Sequence, residues 1–297
     1  MANPYINSEF FQRLEAQAFN LRNNLSGFFG GMHRTNKYGQ TVEFADYREY
    51  QLGDDIRRID WNLYSRFEHH FIKLFTDERQ MHVQIYLDCS ASMGKEIEKK
   101  GQYAVAMAAG LGFLAIHNMD KLSFRLVREH DINDSGSIIG KQAFYRSISE
   151  LENIKFDGDS YLSDTITKGK TTGKDGMAVI ISDFLTDNDW KRAVDFLVYQ
   201  GKEVMLVQIL DQSELKPGYT GRFNLIDSES LDIEDSRNIK MRITGSFIDA
   251  YDKALSSIQE NIKSFATSRG ASYVCISTDT PIEKALFNEL LKVGVLG

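Results

Sequence analysis

The feature that most limits the fold is a rhythm that begins at Met81, where continuous apolar, β-branched runs recur with helical patterns between them. The runs are MHVQIYLD, KLSFRLV, MAVIISD, EVMLVQIL and SYVCIS. Helical spacing falls near Lys99 to His117, Lys141 to Leu151, Ser160 to Lys168, Asn188 to Tyr199, Phe247 to Thr267 and Ile282 to Val293. Runs without polar alternation need cover on both faces, and intervening helices supply it. The expectation is therefore a three-layer, doubly wound, mainly parallel α/β sheet of Rossmann-like type, with six strands, occupying 81–297. Between Leu210 and Phe247, Pro217-Gly218 and short polar runs break the rhythm and predict a small edge hairpin, with Asp232 and Glu234 facing water.

Residues 1–80 read as an N-terminal helical and charged extension packed on that core. Phe10, Leu14, Ala18, Leu21, Leu25 and Phe28 recur at spacings of three and four, giving one apolar stripe on a helix from about Ser8 to Phe29 that Gly30 and Gly31 end. Its polar face carries both signs, which favours docking on its own domain over a membrane surface. From Thr35 to Arg66, charges alternate beside aromatics. Arg48, Asp54, Asp55, Arg57, Arg58, Asp60 and Trp61 are expected to form either a structural brace or a partner-facing surface, and the pattern does not separate the two.

Composition narrows the function. The formal charge of -7 comes without a block of Lys or Arg, so nucleic acid is not an expected partner. The apolar stretch Tyr103 to Ile116 is well short of the roughly 20 residues that span a bilayer. No signal-peptide pattern opens the chain, and a cytoplasmic location is the expectation. Cys89 and Cys275 are too few and too distant for a disulfide scaffold or a thiolate zinc cluster and read as free thiols. Neither GxxxxGK[ST] nor HExxH is present, and the six histidines form no triad order. Oligomeric state is left open, with the aromatic stripe as one candidate contact.

The sharpest local signal is IYLDCSASMG, where an apolar run ends directly in Asp88, Ser90 and Ser92. MAVIISD ends the same way in Asp183, and FDGDSYLSDTI between them offers Ser160, with Asp159, Ser163 and Thr165 competing for the same role. In an open α/β sheet the carboxyl ends of strands form the ligand crevice, and hard divalent ions take oxygen ligands. Capping of the following helices by Asp88, Ser90 or Ser160 is the simpler alternative.

Asp88-x-Ser90-x-Ser92 with Ser160 and Asp183 resembles the metal-ion-dependent adhesion site of von Willebrand factor A-type domains. The chain is also similar to a bacterial family of uncharacterised proteins with such a domain, often encoded beside MoxR-type AAA+ ATPases, in which a segment like EFADYREYQLGDDIRRIDWNLYSR precedes the DxSxS strand. The similarity runs from about Gly39 to the C-terminus. It includes Pro217-Gly218, Leu225 to Glu229 and Ser277 to Pro281; the middle ligand, usually threonine, is here Ser160, which lacks the methyl that restricts the rotamer. The resemblance implies a von Willebrand factor A-like fold and one Mg2+ (or Mn2+) held by Asp88, Ser90, Ser92, Ser160 and Asp183. It implies a non-enzymatic module that takes an acidic side chain of a protein partner, working with a MoxR-type ATPase. The alternatives are a metal-free scaffold and a magnesium-dependent phosphotransferase or hydrolase using Asp88.

Overall fold

A computed structural model describes residues 3–20, 42–51, 53–77, 81–94, 97–169, 176–186, 189–217, 221–225 and 239–290. Leu21, Leu25, Phe28, Asp232 and Glu234 lie outside these residues. The chain divides into two compact units, 1–29 with 81–297, and 30–80. The helix and the charged segment grouped above as one extension thus fall in different units.

Helix α1 (Ser8–Asn20) buries Phe10, Phe11, Leu14 and Ala18. The smaller unit contains β1 (Val42–Glu49), a 3-10 turn at Ile56–Arg58, α2 (Trp61–Phe67) and β2 (Phe71–Asp77), with β1 and β2 paired antiparallel. The larger unit continues with β3 (His82–Asp88), α3 (Glu98–His117), β4 (Lys121–Arg128), β5 (Asp131–Asp134), α4 (Lys141–Leu151), α5 (Leu162–Lys168) and β6 (Met177–Ser182). Then follow α6 (Lys191–Tyr199), β7 (Glu203–Leu210), the single turn α7 (Gln212–Leu215), β8 (Gly221–Leu225), β9 (Ile239–Ile243), α8 (Gly245–Ser268) and β10 (Ser272–Ser277). A last turn, α9 (Ile282–Lys284), runs into a π-helical segment at Ala285–Leu290, where the sequence pattern suggests one continuous helix.

The six-stranded sheet has the order β10-β7-β6-β3-β4-β5, parallel throughout except for the antiparallel edge strand β5. This is the mainly parallel, doubly wound α/β architecture expected from the alternating runs. β8 and β9 form a hairpin that is a two-stranded sheet of its own.

Period-two alternation divides each central strand between two cores. Val83, Ile85 and Leu87 join Phe10, Leu14, Tyr103, Phe144 and Leu286 on one face of the sheet. Tyr86 joins Ile180, Leu206, Leu197 and Ile262 on the other. Phe11 seats α1 on the first face, with its ring 5.4 Å from Phe113 and 5.7 Å from Phe144. Small residues let α3 lie close: a Cβ at Gly112 would come within 2.7 Å of the Phe124 ring. Among the described residues no helix is long and apolar enough to cross a membrane.

The chain runs outward from β3 to β4 on one side, then returns to place β6 on the other. β3 and β6 are neighbours, in register at Leu87 and Ile181, and mark the point where the strand order reverses. In an open α/β sheet the carboxyl ends of the strands at such a reversal are where ligands bind.

Candidate functional site

Both strands that flank this reversal end in an aspartate. Asp88 closes β3 and is 1% exposed; Asp183 follows β6 and is 2% exposed. The Ser160 and Ser182 hydroxyls each donate to Asp88 Oδ2 at 2.7 Å, and the Ser90 amide donates to Oδ1 at 3.0 Å. Ser90 and Ser92 hydroxyls lie 3.2 Å apart. Burial, reinforced by the negative charge of Asp183, pushes the Asp88 carboxyl above its ordinary range against these three hydrogen bonds. Asp183 is fixed separately, with its Oδ1 accepting from the Leu185 amide at 3.0 Å and its carbonyl accepting from Gln208 Nε2 at 2.7 Å. Phe184, between them, has a φ of 53°, a left-handed conformation costly for a bulky side chain.

The loops around Asp88 hold each other. Cys89 donates its amide to the Val127 carbonyl and accepts from the Asp157 amide, and the Ala91 amide donates to Gly158 O at 2.8 Å. The Phe156 ring covers Gly94 and Gly101 so closely that a Cβ at Gly94 would meet it at 2.6 Å. Beside the same loops a cleft of about 400 Å³ opens, flanked by Gly94, Glu98, Glu152, Lys155, Phe156 and Asp157.

The capping alternative is not what these side chains do. Ser90 precedes the turn Ala91–Met93 without a side-chain cap bond, and the positions preceding α3 and α5 are Ile97 and Tyr161, also without one. The competitors for Ser160 turn elsewhere. Asp159 accepts from the Tyr161 hydroxyl, Ser163 accepts from the Ala193 amide, and Thr165 donates to Glu129 O. Cys89 is buried and Cys275 partly so, both as free thiols; burial pushes each thiol up, Cys275 to about 11.

Three residues at this centre escaped the sequence reading. Ser182 completes the hydrogen bonds to Asp88. Lys100, in the first turn of α3, is 0% exposed and donates to Asp183 Oδ2 at 2.8 Å and to Glu214 Oε1 at 2.7 Å. Burial works against its ammonium, but the charges of Asp183 and Glu214 outweigh burial and hold its pKa above the ordinary lysine value. Glu214 is aimed by a capping box: its Oε2 accepts from the Asp211 amide while Asp211 caps α7.

The atoms of Asp88, Ser90, Ser92, Ser160 and Asp183 that could ligate an ion are oxygens, which fits a hard divalent cation, and Lys100 already sets a positive charge against Asp183. Among the described residues no group of three His, Cys, Asp or Glu could hold a metal, so Asp88 and Asp183 would share an ion with serine hydroxyls. Hydroxyls rotate, so the proton that Ser160 points at Asp88 can turn away and present a lone pair.

In the smaller unit the charged residues separate into two sets. Arg48 Nη2 donates to both carboxylate oxygens of Asp54, at 2.8 and 2.9 Å, and Asp54 also accepts from the Gln51 amide. That amide and the Arg48 guanidinium keep the Asp54 carboxyl below its ordinary range. Asp60, 7% exposed, binds Lys73 at 3.0 Å, the Tyr47 hydroxyl and the Asn62 amide. These contacts all join residues within 47–73. Asp55 only caps the 3-10 turn, Arg57 is exposed, and the Arg58 side chain lies outside the described residues. Ile56, Trp61 and Phe67 are 62%, 61% and 59% exposed, and Trp61 packs edge-on to Tyr64 and His70.

The family described as "Protein of unknown function DUF58" matches residues 46–253. Uncharacterized proteins of Mycobacterium bovis and Mycobacterium tuberculosis are 28% identical over 216 residues, covering 71% of this chain and 68% of theirs. Among solved structures, the VWA domain of SpRpn10 aligns over 71% of this chain and 95% of its own, with 10% identity and a TM-score of 0.37. The pilus adhesin SpaC of Lactobacillus rhamnosus GG aligns over 73% of this chain and 30% of its own, with 12% identity and a TM-score of 0.43. Proximal thread matrix protein 1 of the mussel byssus aligns over 44% of this chain, which spans 38% of that protein, with 10% identity and a TM-score of 0.37.

Proposed function

Given that this chain belongs to the DUF58 family of proteins of unknown function, we propose that its α/β domain is a non-catalytic protein-binding module. Its crevice between β3 and β6 takes one magnesium or manganese ion and, through it, an acidic side chain of a partner. The observation that carries this reading is the convergence of Asp88, Ser160, Ser182 and Ser90 at the strand reversal, with Asp183 and its charge alongside. Asp88, Ser90, Ser92, Ser160 and Asp183 would hold the ion. When bound, it supplies positive charge and an exchangeable coordination position for a partner carboxylate.

The surroundings support binding over turnover. Asp88 is tied by three hydrogen bonds, and the nearby ammonium of Lys100 is occupied by two carboxylates, so neither is presented to a phosphoryl group. The cleft beside Phe156 and Asp157 gives an approaching segment room next to the site loops. A MoxR-type AAA+ ATPase is the partner we infer, and Ile56, Trp61 and Phe67 form a second surface for it, since they are exposed while Arg48, Asp54 and Asp60 are engaged in bracing.

Calorimetric titration of Mg2+ or Mn2+ into the wild type and Asp88→Ala, with folding checked by circular dichroism, tests the site. Heats in the wild type that vanish in a folded Asp88→Ala support it; equal heats refute it. An acidic peptide should then bind only when the ion is present. One observation favours a second reading, a metal-free scaffold: Lys100 already places a positive charge against Asp183. Absence of metal heats in the wild type would establish that alternative.

A further inference from the structure

We propose that Lys100 is the resident cation of the Asp88–Asp183 site, and that it sets how strongly the site holds a divalent ion. The inference rests on the metal-binding reading above and concerns its regulation.

The Lys100 ammonium is fully enclosed, 2.8 Å from Asp183 and 2.7 Å from Glu214. Neither carboxylate is free to drift. Asp183 is pinned by the Leu185 amide, and Glu214 by the Asp211 amide through its other oxygen. Asp211 is in turn held by the Thr278 hydroxyl at 2.6 Å, and the Tyr251 hydroxyl donates to the Glu214 carbonyl. A buried ammonium must be paired, so this framework commits Lys100 to Asp183 whether or not a metal is present.

Charge counting gives the consequence. When all are ionised, Asp88, Asp183 and Glu214 bring three negative charges and Lys100 one positive, leaving two for a divalent ion to neutralise. Without Lys100 the same carboxylates would go uncompensated, the ion's attraction to the site would rise, and the metal-free fold would lose the cation that makes burial of Asp183 tolerable. Lys100 therefore weakens metal binding and, by the same contacts, keeps the metal-free domain folded. The site can exchange its ion without unfolding.

The experiment compares wild type and Lys100→Met by calorimetry with Mg2+ or Mn2+, and by thermal unfolding in EDTA and in saturating metal. Lys100→Met is expected to lower Tm in EDTA, to show a larger metal-induced rise in Tm than the wild type, and to bind metal about tenfold more tightly or better. An equal or weaker Kd in a folded Lys100→Met overturns the inference while leaving the metal reading intact if the wild type binds. If neither protein binds metal, both readings fall. Binding by Lys100→Met alone supports the inference and removes metal binding from the wild type. Should Lys100→Met refold only with metal, that supports the inference; should it not fold at all, Glu214→Gln decides. That variant keeps Lys100 on Asp183 and removes one negative charge, so its Kd should weaken several-fold, and an unchanged Kd overturns the proposal.

Discussion

In the 42–77 segment, the buried Asp60 and the partly exposed Asp54 tie down strands and turns while the Trp61 and Phe67 rings face water. At the ends of β3 and β6 the arrangement is inverted: Asp88, Asp183 and the Lys100 ammonium are buried. Arg48 and Asp54 are 33% and 21% exposed, so water screens their attraction and would solvate either one left alone. Lys100 and Asp183 are 0% and 3% exposed, so each has only the other and its fixed neighbours to replace water. The same residue types therefore act as replaceable bracing in one region and as an all-or-none centre in the other.

The largest effect expected from this contrast is at Asp183. Asp183→Ala leaves the Lys100 ammonium buried with one partner and should cost about 3–5 kcal/mol in urea unfolding. A loss below about 1 kcal/mol would mean the centre is as forgiving as the surface pair, and the contrast would collapse. Arg48→Ala should cost only about 1 kcal/mol, read as faster amide exchange confined to 42–77. Exchange that quickens throughout 81–290 would show that the bracing reaches beyond its own unit.

Acidification gives a smaller and directional effect. His82 Nε2 sits 2.7 Å from the Ser123 hydroxyl, and burial first, then the charges of Lys202 and Arg125, lower its pKa from 6.5 to about 4. The folded state resists the proton that the unfolded chain accepts. Its contribution to stability is thus complete above about pH 6.5 and is lost as pH falls toward 4. Asp88, shifted upward by burial, acts with the opposite sign, losing stability as pH rises, so the diagnostic quantity is the difference between wild type and His82→Gln. That difference should appear only in the acid window; a constant offset across pH would remove His82 from the account. Smallest in stability is Trp61→Ala, expected within about 0.5 kcal/mol of wild type while weakening partner capture in a pull-down. A large drop in Tm would place Trp61 among the braces.

Most of the α/β framework is legible in the sequence because five of the six strands are continuous apolar runs. β5 is not: DIND is short, polar and solvent-facing, and it pairs only because the chain reverses after Glu129, whose φ is positive. Asp88, Ser90, Ser92 and Asp183 stand out in the sequence because they lie at or just past the ends of apolar strands, whereas Ser160 lies in a loop and Ser182 inside β6. Lys100 was not, since it follows Glu98 and Lys99 at the start of a helix, where charges ordinarily face water. Its burial is decided by Asp183 and Glu214, 83 and 114 positions later. Glu214 does have a local signature, the Asp211-x-x-Glu214 capping box, but nothing nearby says where its carboxylate points.

Those separations also set an order of events during synthesis. Lys100 leaves the ribosome well before either acid that will neutralise it exists, and β3 must wait for β6 before its far side is covered. Until about residue 214 has emerged, the ammonium lacks the carboxylates that neutralise it in the folded domain, so its burial waits on these long-range contacts. Lys100 thereby ties the two halves of the sheet together: its pairing is complete only in a domain whose second half has arrived.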